Sequence, residues 1–293
     1  MSGPEFALVL CSALLHAWWS VAIKSSGDPL VFNLMQEVAP LGVALALLPL
    51  LDLGQVPTAA WRLLCVSGVA HGLYFYWMSR AYEHGDLTLV YPIARSTPAF
   101  MPLVAIPLLG ESISLGGALG IATVVAGMWL VYAGPGLGRA AFASPAARYA
   151  SLTLAATVAY SLLDKGAMGE LAAAPWTSPV PRAAFYCLAL SAASAVVFAP
   201  LVIATRGLRA LRATGRGVLA PATAAAAISF ASYALVLKAL ETAPVSYVVA
   251  ARQTSVLFAL ALGVARLRES PGRSRVIGAA ATVLGVALIA LFS

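Results

Sequence analysis

Charge is what this sequence has least of. Only 10% of its 293 residues are Asp, Glu, Lys or Arg, against about 25% in a soluble domain, so a polar surface of ordinary density cannot be built from it. Cysteine is scarce too. Cys11, Cys65 and Cys187 fall inside apolar runs, where a thiol is a small buried hydrophobe, so neither a disulfide nor a reactive cysteine is expected. His16, His71 and His84 lie scattered without metal-ligand spacing, and no Gly-rich phosphate loop or nucleophile motif appears. No catalytic residue, metal or cofactor is therefore expected. No Lys or Arg precedes Lys24, so the first apolar run lacks the basic start of a secretory signal and is expected to stay in the mature protein. A net charge of +7 is spread over short loops, which implies no nucleic-acid partner.

What is present is apolar. Hydrophobic residues make up 61% of the chain, and runs of about 20 residues, each long enough to cross a ~30 Å hydrocarbon core as a helix, can be marked at 5–24, 30–51, 60–80, 87–109, 113–133, 149–166, 183–204, 218–238, 245–265 and 276–292. The expected fold is an all-α polytopic membrane bundle of ten transmembrane helices. The longest connections, near 134–148, 167–181 and 205–217, are too short for another domain.

Basic residues of short loops are retained in the cytoplasm. The odd-numbered loops hold Lys24, Arg80, Arg139, Arg148, Arg206, Arg209, Arg212, Arg216, Arg266, Arg268, Arg273 and Arg275, whereas the even-numbered loops hold only Arg62, Lys165, Arg182 and Lys238. Odd loops are thus expected in the cytoplasm and both termini in the periplasm of a cell with an inner membrane.

The chain also repeats itself. A shift of 158 residues lays Glu111-Ser112, Gly120 and Gly127 on Glu269-Ser270, Gly278 and Gly285, and Phe100 on Phe258; a shift of 141 lays Ser20 and Lys24 on Ser161 and Lys165. Two five-helix halves, 1–137 and 138–293, follow. Five is odd, so the second half enters the membrane inverted, and the basic residues agree: the loop around Glu111 has no Arg while that around Glu269 has four. Inverted repeats are typical of secondary transporters, with a site near the midplane where the halves meet.

At these positions the chain resembles the drug/metabolite transporter superfamily in its EamA-type ten-helix form. The likeness rests on Trp19, Ser20 and Lys24 with Tyr160, Ser161 and Lys165, on Ala81 with Ala239, and on the Glu-then-Gly pattern after the fourth helix of each half. In length and aromatic content it is most similar to bacterial exporters of aromatic amino acids, the YddG type. That resemblance implies a basket of helices around a largely apolar central cavity that opens alternately to each side. The four-helix drug exporters of the superfamily carry a carboxylate in the middle of helix 1; here that helix has only Glu5, at its start.

Helical spacing selects the candidate cavity residues. One face of helix 1 carries Ser12, His16, Trp19 and Ser20; one face of helix 3 carries Ser67, His71, Tyr74, Phe75, Met78 and Tyr82; helix 6 offers Thr157, Tyr160, Ser161 and Asp164, helix 8 Ser229 and Tyr233, and helix 9 Tyr247, Thr254 and Phe258. Imidazoles deep in lipid need polar company, which points His16 and His71 inward. Helix 4, "YPIARSTPAFMPLVAIPLLGE", combines Tyr91 and Arg95 with Pro92, Pro98, Pro102 and Pro107. Each proline removes a donor and frees a carbonyl, which is tolerable only beside a cavity or a neighbouring helix. Arg95 either donates to an anionic group of a ligand or reaches back to the interface, and Arg252 in helix 9 sits one place from its repeat position. Glu37 is the carboxylate that stands out inside a helix; it is expected either to pair with Arg95 or Arg252 or to carry a proton. The glycine pairs, seven apart, read as close helix packing.

The expected function is export of aromatic or apolar amino acids or related small metabolites, with the lipid bilayer and a small molecule as the partners. The sequence leaves the oligomeric state open, and a monomer fits it. Two rivals are efflux of lipophilic cations, which needs a cavity carboxylate such as Glu37, and a membrane enzyme acting on lipid, which needs clustered acids, bases or metal ligands.

Overall fold

The computed structural model describes residues 1–24, 27–132, 139–258, 261 and 272–293. Arg266, Arg268, Glu269 and Ser270 lie outside the described residues, as do the side chains of Ser20, Lys24 and Arg139. The described helices are α1 (Gly3–Lys24), α2 (Pro29–Leu47), α3 (Thr58–His84), α4 (Leu87–Ala94), α5 (Thr97–Leu109), α6 (Leu115–Tyr132), the short α7 (Arg139–Phe142), α8 (Pro145–Ala173), α9 (Arg182–Leu240), α10 (Val245–Ala251) and α11 (Arg273–Phe292). No strand occurs among the described residues.

By length and apolar composition alone, five described stretches can cross a bilayer: Pro29–Leu50, Leu89–Leu109, Leu115–Tyr132, Arg182–Leu240 and Arg273–Phe292. The helices α1, α3 and α8 are long enough as well, at 22, 27 and 29 residues, and α3 and α8 each spend one face on polar side chains that turn inward, which lowers their mean hydropathy. At 1.5 Å per residue, the 59 residues of α9 amount to roughly 90 Å if straight, far more than one crossing. The chain turns at Gly207, whose φ of 77° and ψ of 152° are non-helical and open to glycine at no steric cost. The sequence predicts a loop over 205–217; instead helix continues on both sides of that glycine, and α9 is two crossings joined at a single residue.

Side chains and prolines set the helix starts. Asp28 Oδ1 accepts Leu30 N at 3.1 Å and Val31 N at 3.2 Å ahead of Pro29, and Ser144 Oγ accepts Ala147 N at 3.2 Å ahead of Pro145, the arrangement of a capped helix with proline in its first turn. At one end of the bundle Arg206 reaches Asp28 (2.9 Å) and Glu83, and Glu83 also takes Arg80 at 2.5 Å, so the starts and ends of α2, α3 and the arms of α9 are tied together. At the other end Glu111 caps α10: its carboxylate accepts Val245 N at 2.5 Å, Ser246 N at 3.3 Å and Ser246 Oγ at 2.7 Å, a favourable place for a negative charge. The two chain ends meet there as well, Met1 N donating to Ser293 Oγ at 3.0 Å.

The expected glycine packing is present. Helices α6 and α11 lie so close that a Cβ on Gly127 would stand 2.6 Å from Gly278 O and from Thr282 N, and one on Gly285 would stand 2.6 Å from Val124 N. Large apolar side chains such as Leu45, Leu103 and Leu115 point outward. Cys11 and Cys65 point outward with them; of the three cysteines expected to be buried, Cys187 alone is, because α1 and α3 turn their polar faces, not their thiols, toward the centre.

Candidate functional site

Both halves interrupt their fourth helix at matching places. In the first half α4 ends at Ala94 and α5 begins at Thr97, leaving Arg95 and Ser96 between them. Pro98, in the first turn of α5, has no N–H to continue the ladder, and Ser96 Oγ donates to Pro92 O at 2.7 Å, satisfying a carbonyl at the break. In the second half α10 ends at Ala251 and tightens into a 3₁₀ turn over Arg252–Thr254. Each interruption presents one arginine, and the two guanidiniums converge.

They converge on His16. Arg95 Nη2 contacts His16 Nε2, and Arg252 Nη2 lies 3.5 Å from His16 Nδ1. A guanidinium only donates, while a neutral imidazole has one acceptor nitrogen and one N–H. If Nε2 accepts from Arg95, Nδ1 carries the proton, and Arg252 faces a donor. The Nε atoms of both arginines are buried without a partner. Among the described residues no carboxylate oxygen comes within 4 Å of either guanidinium. Each also lies over an aromatic face, Arg95 over Tyr91 at 5.1 Å and Arg252 over Tyr233 at 5.5 Å, which offsets part of the cost of a buried cation but fills no hydrogen bond.

These groups open into a central cavity of about 700 Å³, open mouth included, lined by His16, Trp19, Glu37, His71, Tyr74, Phe75, Arg95, Tyr160, Phe230, Tyr233 and Arg252 among others. A smaller adjoining cavity shares Tyr74, Arg95, Tyr160 and Arg252 and adds Met78, Thr97 and Gln253. The walls are braced from behind. Trp19 Nε1 donates to Gln36 Oε1 at 2.5 Å, His71 stacks on Tyr160 with ring centroids 3.9 Å apart, and Tyr74 meets Tyr160 edge-on at 5.5 Å.

The sequence-predicted faces of α1, α3 and α8 therefore come together, and His16, Trp19, His71, Tyr74, Met78, Arg95, Tyr160, Tyr233, Glu37 and Arg252 line one cavity or the other. Three candidates do not. Tyr91 turns away toward α6, stacking on Tyr132 at 4.9 Å beneath Arg95. Tyr82, a turn beyond Met78, packs with the side chains at that end of α3. Phe258 lines neither cavity, and a 3₁₀ turn at Arg252–Thr254 stands between it and Tyr247. Tyr247 itself faces α6, its hydroxyl accepting Ser114 N at 3.1 Å.

The expected ion pair of Glu37 with Arg95 or Arg252 is not formed. The α2 helix packs against α9, so Glu37 accepts from Ser194 Oγ instead. Nor is Glu37 the one deep carboxylate. Helix α8 runs on to Ala173, seven residues past the predicted end, which places Asp164 inside the helix with no exposed surface. Its position on the Tyr160 face was the only signal of an inward role. Gln36, Ser191, Phe230 and Gln253 also line the cavities without having stood out in the sequence.

A family model described as the EamA-like transporter family matches residues 4–133 and 175–291. No curated protein matches the chain. Among solved structures, one described only as "Crystal structure of protein" matches with a TM-score of 0.67 at 18% identity, covering 98% of this chain and 96% of that one; at that identity the likeness shows the fold alone.

Proposed function

The chain belongs to the EamA-like transporter family, whose members are ten-helix, two-repeat membrane transporters, and on that premise we propose that it exports aromatic or apolar amino acids, or related small metabolites, across the cell inner membrane by alternating access. The supporting observation is the pair of guanidiniums on one imidazole that can accept from only one of them. A ligand carboxylate offers the acceptors these donors lack, in the fork geometry guanidinium favours. Beside it, Trp19, Tyr74, Phe75 and Tyr160 can hold an aromatic ring, each well-placed pair adding about 0.5–1.5 kcal/mol beyond area burial. Glu37, buried and facing the same cavity, is placed to accept a ligand ammonium. The halves that rock about this site divide near residues 137 and 138.

Glu37 also favours a second reading, efflux of a lipophilic cation, because no arginine pairs with it among the described residues. Counterflow in proteoliposomes separates the two. Labelled Phe or Trp is expected to exchange at least roughly tenfold faster than Glu or Lys, the equivalent of about 1.4 kcal/mol, and Tyr74→Ala should slow that exchange several-fold. Exchange of a cationic dye in the absence of any Phe or Trp exchange overturns the amino-acid reading.

Orientation is a separate proposal. The face that holds Asp28, Arg80, Glu83 and Arg206 is cytoplasmic, by the excess of basic residues in the loops on that side, and both termini are periplasmic. A reporter fused after Ser293 should behave as periplasmic and one inserted after Arg216 as cytoplasmic; the reverse pattern inverts the protein and with it the direction of every step.

A further inference from the structure

Behind the cavity wall lies an acid that ligand contact does not explain. Asp164 on α8 has no exposed surface, and three hydroxyls meet it: Ser67 Oγ at 2.5 Å and Tyr186 OH at 2.7 Å on Oδ1, and Tyr233 OH on Oδ2. All three hydroxyls donate, and Asp164 accepts from them as a carboxylate. The remaining neighbour is His71, whose Nε2 stands 3.9 Å from Oδ2.

The tautomer of His71 follows from the same contacts. Its Nδ1 lies 3.2 Å from Ser67 Oγ and 3.1 Å from Ser67 O. The Ser67 hydroxyl proton is committed to Asp164, and a carbonyl oxygen only accepts, so Nδ1 carries the hydrogen and Nε2 presents a lone pair. Two acceptors, Nε2 and Oδ2, thus face each other beyond hydrogen-bond range. One added proton turns that gap into a hydrogen bond, whichever atom keeps it, and cancels a net negative charge that is costly inside a membrane.

We propose that His71 and Asp164 form a proton-binding site wired to the central cavity. His71 lines that cavity and so gives the proton its path. The link to the ligand is Tyr233, whose hydroxyl donates to Asp164 while its ring carries the Arg252 guanidinium. The titratable and charged groups facing the pair are Tyr160 from α8, Tyr186, Cys187 and Tyr233 from α9, and Arg252 from the turn after α10, with Glu37 of α2 across the cavity. Of these only Arg252 carries positive charge. A ligand carboxylate that neutralises Arg252 lifts its repulsion on the incoming proton, so carboxylate and proton favour one another's binding, and by reciprocity acidification raises ligand affinity. The proton then travels with the ligand, and export runs on internal ligand excess.

The linkage, though not the proton site, rests on the carboxylate reading of the cavity. Titration calorimetry of purified protein with tryptophan, in two buffers of different ionisation enthalpy, is expected to show proton uptake on binding, absent in Asp164→Asn. Luminal acidification of tryptophan-loaded proteoliposomes should speed efflux from the wild type alone. Tryptophan binding by the wild type without proton uptake overturns the linkage. If tryptophan does not bind at all, the ligand reading fails, and infrared difference spectra of the ligand-free protein between acid and alkaline buffer decide the proton site. A carboxyl or imidazole band lost in both Asp164→Asn and His71→Gln, each monodisperse on size exclusion, supports it; an unchanged spectrum overturns it.

Discussion

Arg95→Ala is expected to lower tryptophan affinity by roughly 10- to 100-fold while leaving the protein as stable as the wild type or more so. Hydrogen bonds to charged groups contribute about 1.5–3 kcal/mol, and Arg95 is one of two guanidiniums placed to hold the carboxylate. Without ligand the balance differs. Two cations then crowd one imidazole, with no carboxylate within 4 Å among the described residues, so truncating one relieves repulsion. A drop in affinity joined to an unchanged or raised thermal midpoint is the signature of a residue held for binding; a matching loss of folded protein marks a structural one instead. Arg95→Lys should recover only part of the loss, because an ammonium lacks the planar fork. Glu37→Gln should cost tryptophan exchange less than Arg95→Ala does. If Glu37→Gln instead stops a cationic dye while Arg95→Ala leaves exchange intact, the cavity belongs to cations.

Gly127→Ala should destabilise strongly, and Gly169→Ala, the control, should not. The added Cβ at 127 would lie 2.6 Å from Gly278 O, Thr282 N and Thr282 Oγ1. Two of these are backbone atoms of the partner helix and cannot swing aside, so α6 and α11 must separate along a seam that also carries Gly120 and Gly285. Overpacking of this kind costs about 1–3 kcal/mol or more. At Gly169 nothing lies within 4 Å of the new methyl, and Ala is favoured over Gly in a helix by up to about 1 kcal/mol. The two substitutions are thus expected to move the thermal midpoint in opposite directions, read by size exclusion after heating. Equal behaviour removes the glycine seam as a determinant of the fold.

Features set by local pattern were legible along the chain. The spacing of Ser67, His71, Tyr74 and Met78 on one helical face, and of Gly120 with Gly127, survives in the structure because a continuous α-helix keeps its period. Where the helix is not continuous the same reasoning fails: the face assigned to Tyr247, Thr254 and Phe258 is interrupted by a 3₁₀ turn and lines neither cavity, and the segment after Ala204 continues as helix because Gly207 alone makes the bend. Asp164 was placed one turn from a helix end, where an acid raises no question. Once α8 is seen to run to Ala173, the same residue is buried and needs every donor around it.

By itself, then, the sequence determined that the chain crosses a membrane many times, that its halves repeat in inverted sense, and that helix 4 breaks beside an arginine. These follow from composition, period and proline chemistry, which act over a few residues. Only the tertiary structure decided which polar groups meet. His16 lies 79 residues from Arg95 and 236 from Arg252, and Asp164 lies 97 from Ser67 and 69 from Tyr233. A helical face shows that a side chain turns inward; which partner it finds depends on how that face packs against helices from the other half, through contacts that no period along the chain records.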